Sequence, residues 1–244
     1  MDTLLFLWNN AATIGRLTVQ HLQIVGASVG LAIVTGVPIG ILITANAMLA
    51  RVVLYVAAIV MTIPSVAMFG ILIPVLSTIG QGIGFVPAVV ALLLYAQLPI
   101  IRNTYAAISN LDPALREAAT AMGMTTAQRL FRVEIPIAVP IIMAGVRLAV
   151  VLNVGIAAIA TYIGAGGLGQ LISRGISESD PRQLIAGALL VSLLAILSDA
   201  VLGRLQRWLT PKSLRTESGR RSIVMRIGAS VGLNRLHHQV QGQS

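Results

Sequence analysis

The sequence predicts an all-α integral membrane protein with five core transmembrane helices, and three observations carry the prediction. Charged residues make up only 10% of the chain and hydrophobic residues 56%, where soluble domains carry roughly a quarter charged. Five apolar segments, about 21–45, 52–76, 85–108, 135–163 and 183–205, each reach the roughly 20 residues that a helix needs to cross a ~30 Å hydrocarbon core. None alternates polar and apolar residues as a membrane β-barrel strand does, and inside lipid a lone segment satisfies its own backbone only as a helix.

The ends and the charge follow from the same pattern. Residues 1–20 read as an N-terminal interfacial segment: Met1-Asp2-Thr3 lacks the basic start of a cleaved signal, and Leu4-Leu5-Phe6-Leu7-Trp8 is too short to span. Residues 21–210 hold the transmembrane domain. The basic tail, 211–244, is polar and glycine-containing and is expected to be mobile or to lie on anionic lipid. A net charge of +9 does not imply nucleic acid here, because the basic residues are not interleaved with aromatics.

Topology explains the charge. With the N-terminus outside, the inner loops and tail hold thirteen basic residues: Arg51, Arg102, Arg116, Arg129, Arg132, Arg204, Arg207, Lys212, Arg215, Arg220, Arg221, Arg226 and Arg235. The outer side holds Arg16, Arg174 and Arg182. This positive-inside bias puts the loop after the third helix, and the C-terminus, in the cytoplasm. The absence of cysteine excludes disulfides and thiolate metal sites. His21, His237 and His238 lie away from any carboxylate cluster, so neither metal nor cofactor is expected.

Pro38, Pro64, Pro74, Pro99 and Pro140 fall in or near the spans, and Gly26/Gly30 and Gly36/Gly40 are small-xxx-small pairs suited to close helix packing. No internal repeat is apparent. Arg147 and Asp199 are the ionisable residues well inside the spans. Each costs at least ~2.5–3.5 kcal/mol to insert, so a structural ion pair between them is expected, with a place in the permeation path as the alternative.

The polar loop between the third and fourth spans is the most informative stretch. Asp112-Pro113 supplies an N-cap with proline at the first helical position, and Gly123 can stop that helix in the left-handed conformation. Thr125 or Thr126 can cap a second short helix through Gln128-Arg129-Leu130-Phe131-Arg132, before Pro136 opens the next span. Ala118 and Ala119 keep one face small enough for another protein to approach. An ordinary positive-inside loop would explain the arginines but not this spacing. Beyond the fourth span, Gly164-Ala165-Gly166-Gly167-Leu168-Gly169 lies outside and follows no strand, so it is not a phosphate cradle. It reads as a small, flexible turn that can lie beneath a docked partner.

Glu117-Ala118-Ala119, Gly123 and Ile135-Pro136 resemble the EAA signature of ABC importer permeases, in which Glu-Ala-Ala is followed by three residues, Gly, nine residues and Ile-x-Leu-Pro. Val133 and Ile135 replace the usual Ile and Leu, both conservative apolar changes. The resemblance runs from about Leu17 to Pro211. It is closest to the glycine betaine/carnitine/choline osmoprotectant branch, through Leu98-Pro99-Ile100-Ile101-Arg102-Asn103-Thr104-Tyr105, Gly145-Val146-Arg147 and the stretch from Tyr162 to Gly169.

The resemblance implies the type I permease fold with short cytoplasmic coupling helices in the inner membrane. It implies ABC ATPase subunits, an extracytoplasmic binding protein and a second permease, identical or similar, as partners. Glu117 and Gly123 would transmit motion, with Ala118 and Ala119 at the contact. The chain has no P-loop, its lysine being Lys212 alone, so ATP is hydrolysed elsewhere and the subunit is not an enzyme. Tyr95, Tyr105 and Tyr162 either face a quaternary ammonium ion or simply pack. An importer of amino acids such as methionine is the neighbouring alternative. An ion-coupled carrier would need interrupted spans in two matching halves, and an intramembrane enzyme would need a catalytic cluster that Arg147 and Asp199 do not make.

Overall fold

The helix Phe85–Ser109 (α5) owes its central place to small side chains. Ala88, Ala91, Ala96 and Ala107 let neighbours close on several sides of it, while Leu92, Ile100 and Ile108 fill the remaining space, all of them buried. The computed structural model describes residues 2–210, and the expected tail over 211–244 lies outside the described residues. The other helices are α1 (Asp2–Asn9), α2 (Ala11–Leu42), α3 (Ala47–Thr62), α4 (Ser65–Ser77), α6 (Pro113–Ala121), α7 (Thr126–Arg129), α8 (Ile135–Ala157), α9 (Gly169–Ser177) and α10 (Pro181–Leu209). Among the described residues there is no strand.

α2 and α8 pack on α5, α3 and α4 flank it, and α10 lies against α8 and α9. One core cluster joins α2, α4, α5 and α8 through Ile24, Phe69, Leu92 and Val154. Ala11–Ala45, Phe85–Ser109, Thr126–Ala157 and Pro181–Leu209 are long and apolar enough to cross a membrane, and the bent pair α3–α4 makes a fifth span if counted as one.

The differences from the sequence reading have local causes. The first span begins at Ala11 rather than near residue 21, because Leu17 is buried against Leu168 and Leu171 and carries the helix three turns further. The segment 52–76 is not one straight helix: α3 and α4 meet at 100°. Pro64 has no N–H to donate and forces Ile63 into an extended conformation, with ψ 127°. The Ile63 carbonyl released there accepts the Tyr95 hydroxyl at 2.6 Å. α9 was not anticipated. At the start of α10, Asp180 accepts the Arg182 amide at 3.0 Å, and the hydrogen bond from the Arg182 side chain holds its carboxyl below the usual carboxylate range.

Glycine contacts set how closely α5 is gripped. A Cβ on Gly40 of α2 would meet Thr104 at 2.6 Å, and one on Gly145 of α8 would meet the Pro99 carbonyl oxygen and Asn103 at 2.7 Å. Gly36 and Gly40 are thus the pair that packs within the chain, whereas Gly26 and Gly30 face open space. Asn153 of α8 ties the layers together, its amide donating to the Leu92 carbonyl at 3.0 Å and reaching Ser28 of α2 at 3.4 Å.

A methyl group distinguishes a real crossing from an incidental glycine. Gly145→Ala should lower the thermal midpoint in detergent, because overpacking costs about 1–3 kcal/mol against about 1 kcal/mol of helix propensity regained. Gly155→Ala, on the same helix with nothing nearby, should raise the midpoint or leave it alone. Equal behaviour of the two variants would mean that α5 and α8 do not cross at Gly145.

Candidate functional site

The α6–α8 segment is built almost entirely by its own sequence. Asp112 caps α6 by accepting the Ala114 amide at 2.9 Å, and Pro113 occupies the first turn. Gly123 adopts φ +76°, so that its amide reaches the Thr120 carbonyl at 2.9 Å and the Met124 amide reaches Ala119 at 3.2 Å. These two bonds form a Schellman closure, which a residue with a Cβ adopts only under strain. Thr125 and Gln128 then exchange a reciprocal capping box that starts α7.

The second short helix expected before Pro136 does not end there. α7 passes through a π turn, Leu130–Glu134, straight into α8. Pro136 has no N–H for a carbonyl one turn back, and the wider turn lets the chain continue past it.

The two alanines of the Glu-Ala-Ala triplet part company. Ala119 is buried, 1% exposed, and anchors α6 to the rest of the chain, so it is not on the outward face. Glu117, Ala118 and Gly123 are exposed, and Leu115, Met122 and Phe131 add apolar surface beside them. Pro136 is half-buried.

What holds α6 in place is Glu134, a residue to which the sequence assigns no role. It is 5% exposed and takes ion pairs from Arg129 at 2.9 Å and Arg116 at 3.3 Å, while Arg116 also donates to the Ile108 carbonyl at the end of α5. Arg129 and Glu134 lie five residues apart, a spacing that does not pair on an α-helix, where neighbours are three or four apart. The π turn brings them together, which is why α-helical spacing gives no sign of the contact.

Arg147 and Asp199 meet in a two-pronged pair, Nε and Nη2 each 2.8 Å from a carboxylate oxygen. Arg147 also donates to Gln206 at 2.8 Å, and Gln206 in turn donates to the Pro140 carbonyl at 2.7 Å. On α10, Asp199, Gly203 and Gln206 share one face at the i, i+4, i+7 spacing, and the guanidinium lies over Gly203. The pair opens onto a shallow groove of about 260 Å³ beside Ala144 and Val151, and the side chains keep 32% and 39% of their exposure.

The turn from Gly164 to Gly169 is a buried lock rather than a flexible surface loop. Gly166, Gly167, Leu168 and Gly169 are buried, and Gly164 alone of the four glycines is exposed. The Gly167 amide donates to Gln20 and the Leu168 amide to His21 Nδ1, each at 3.3 Å. Since Nδ1 accepts, the ring proton sits on Nε2, which donates to the Val154 carbonyl at 3.0 Å. A Cβ on Gly169 would overlap the Ala158 carbonyl. Of the tyrosines, Tyr95 is buried and engaged at the α3–α4 bend, Tyr105 is half-buried and Tyr162 is exposed.

The described residues form an all-helical bundle of membrane-crossing length that sets the capped helix α6 out from the end of one span. The chain belongs to the binding-protein-dependent transport system inner membrane component family, whose model matches residues 36–215. It is therefore a multi-pass inner-membrane permease of an ABC importer. It is 55% identical to the osmoprotectant import permease protein OsmW of Salmonella typhimurium over 88% of this chain and all of that protein. The carnitine transport permease protein OpuCB of Listeria monocytogenes is 42% identical over 81% of this chain and 88% of its own length. Among solved structures, an inward-facing form of the MetNI methionine ABC transporter matches with a TM-score of 0.74 at 28% identity, over 81% of this chain and 96% of that one.

Two measurements check the geometry. Glu134→Gln keeps the shape and removes the charge, and hydrogen bonds to charged groups are worth about 1.5–3 kcal/mol. Amide exchange over residues 113–121 should therefore quicken while membrane levels hold; unchanged exchange would show that Glu134 does not fix α6. In a thermal double-mutant cycle, Arg147→Met and Asp199→Leu should each destabilise the protein, and the double variant should lose less than the two losses together. Additive losses would leave the pair without energetic meaning.

Proposed function

We propose that the chain is the permease subunit of an ABC importer for osmoprotectants of the glycine betaine, carnitine and choline class. The observation that supports this most directly is the 55% identity, over 88% of this chain, to an osmoprotectant import permease. A separate ATPase drives transport, an extracytoplasmic binding protein delivers the solute, and a second permease, identical or similar, completes the pore. One chain offers one α6, and two ATPase subunits need two.

The positive-inside bias favours an outer N-terminus, which puts α6 and the tail over 211–244 in the cytoplasm. In this reading Glu117, Ala118 and the apolar side chains around them meet the ATPase. Ala119, Gly123 and the Glu134 clamp make α6 a rigid lever, and Pro136 lies where that lever joins α8. Closure of the ATPases drives the α6 helices together, and the α8–α5–α2 stack rocks with them to open the pore outward. Arg147 and Asp199 keep α10 moving with α8. Outside, Gly164 and the exposed Tyr162 lie where the binding protein docks, on a turn held firm from below by Gln20 and His21.

A second reading, import of an amino acid such as methionine, draws on the likeness to the methionine transporter at 28% identity. Radiolabelled uptake into proteoliposomes separates the two. With ATPase and binding protein present, betaine uptake should exceed methionine uptake, and it should fall to background when the binding protein is omitted. A preference for methionine would overturn the substrate class alone. Uptake that ignores the binding protein would overturn the import mechanism.

A further inference from the structure

Between the ends of α2 and α5 and the segment joining α6 to α8 lies a cavity of about 580 Å³, inside the roughly 300–1,000 Å³ range of small-molecule sites. Its lining comprises two unlike sets of groups. Arg116, Arg129 and Glu134 supply the charges, and two guanidinium groups against one carboxylate leave a formal positive charge in excess. Tyr105, Ile41 and Leu130 supply an aromatic ring and apolar surface. A bare inorganic anion would leave the second set unused, and a simple cation would face the first set unfavourably. A molecule carrying one carboxylate and one methylated ammonium group uses both.

We propose that this cavity is a cytoplasmic binding site for a small carboxylate-bearing methylated ammonium compound, the chemistry that glycine betaine and carnitine share within the proposed substrate class. The inference rests on the proposed function for the side of the membrane and for the solute class. The carboxylate meets the excess guanidinium charge through charge-assisted hydrogen bonds. The ammonium methyls lie against Ile41 and Leu130, with the cation facing the Tyr105 ring. The same two arginines hold Glu134, so an occupant competes with Glu134 for them and biases the position of α6. A solute that binds the clamped and released arrangements with different affinity shifts the balance between them. The solute already in the cytoplasm thereby acts on the surface that the ATPase engages.

The test uses the purified permease–ATPase complex without binding protein, titrating the thermal midpoint with glycine betaine and, separately, with choline, which lacks the carboxylate. Betaine should give a saturable rise, and choline should bind about tenfold more weakly or worse, the equivalent of one lost charged hydrogen bond. Ser109→Leu fills the cavity from α5 without altering the three charged residues, and should abolish the rise. Tyr105→Leu should weaken it, and serves as the readout if Ser109→Leu does not assemble. Absence of a saturable rise, or an equal response to choline, would overturn the proposal. An undiminished rise in Ser109→Leu and Tyr105→Leu would place the ligand in the transport path instead, and would overturn it as well. A complex that imports betaine yet shows no rise loses only this site. One that shows the rise yet imports a different solute loses only the proposed substrate class.

Discussion

Inside a bilayer no water is at hand for a carbonyl or amide that a proline or a turn leaves free, so each break in a spanning helix has to be met by another protein group. This constraint accounts for the placement of several of the polar side chains within the bundle. Pro64 breaks the second span, and the Tyr95 hydroxyl takes the carbonyl of Ile63. The turn that ends the fourth span turns two amides inward, where Gln20 and His21 accept them. Gln206 of α10 adds a second donor to the Pro140 carbonyl of α8, whereas Asn103 bonds only within α5, to the Pro99 carbonyl one turn back. Polar residues in such spans invite a functional reading, yet Tyr95, Gln20 and His21 here complete the backbone. Because Tyr95, Gln20, His21 and Gln206 each reach a different element of the chain, these bonds also help to fix the bundle's arrangement.

The helices themselves gain little from burying apolar surface, since lipid is as apolar as leucine; close approach and polar staples hold them instead. Gly40 and Gly145 bring α2 and α8 within backbone distance of a single stretch of α5, Pro99 to Thr104. Two charged staples add to this. Arg147 with Asp199 joins α8 to α10, and Glu134 with Arg116 and Arg129 joins α6 to the start of α8. α8 takes part in both. A push on α6 therefore acts on the helix that also grips α5 and α10, which is a route by which force from outside the bilayer can reach its centre.

The outward face of α6 is economical. Its cap, its stop and the capping box that follows use five residues, Asp112, Pro113, Gly123, Thr125 and Gln128, all of them local. Ala119, Arg116 and Glu134 are the residues that tie it back to the body of the protein. A surface made this way can keep its shape while the side chains that face a partner vary.

The apolar spans and the signature of the α6 segment were legible in the sequence because they depend on local or one-dimensional quantities. Twenty apolar residues must form a helix in lipid, Asp112-Pro113 must start one, and Gly123 readily ends one. Sequence spacing also put Arg147 and Asp199 on neighbouring antiparallel spans. The rest needed the third dimension. Leu17 extends the first span because Leu168 and Leu171 lie beside it. Ala119 turns inward while Ala118 does not, and the glycine turn is buried because α2 supplies acceptors from about 147 residues away in the chain. Glu134 found its arginines through a π turn that no α-helical periodicity would show, and through an arginine eighteen residues earlier in the chain. Local propensity and hydropathy fix which segments are helices; the pairing of buried polar groups between them is a property of the packed bundle, and only the tertiary structure decided it.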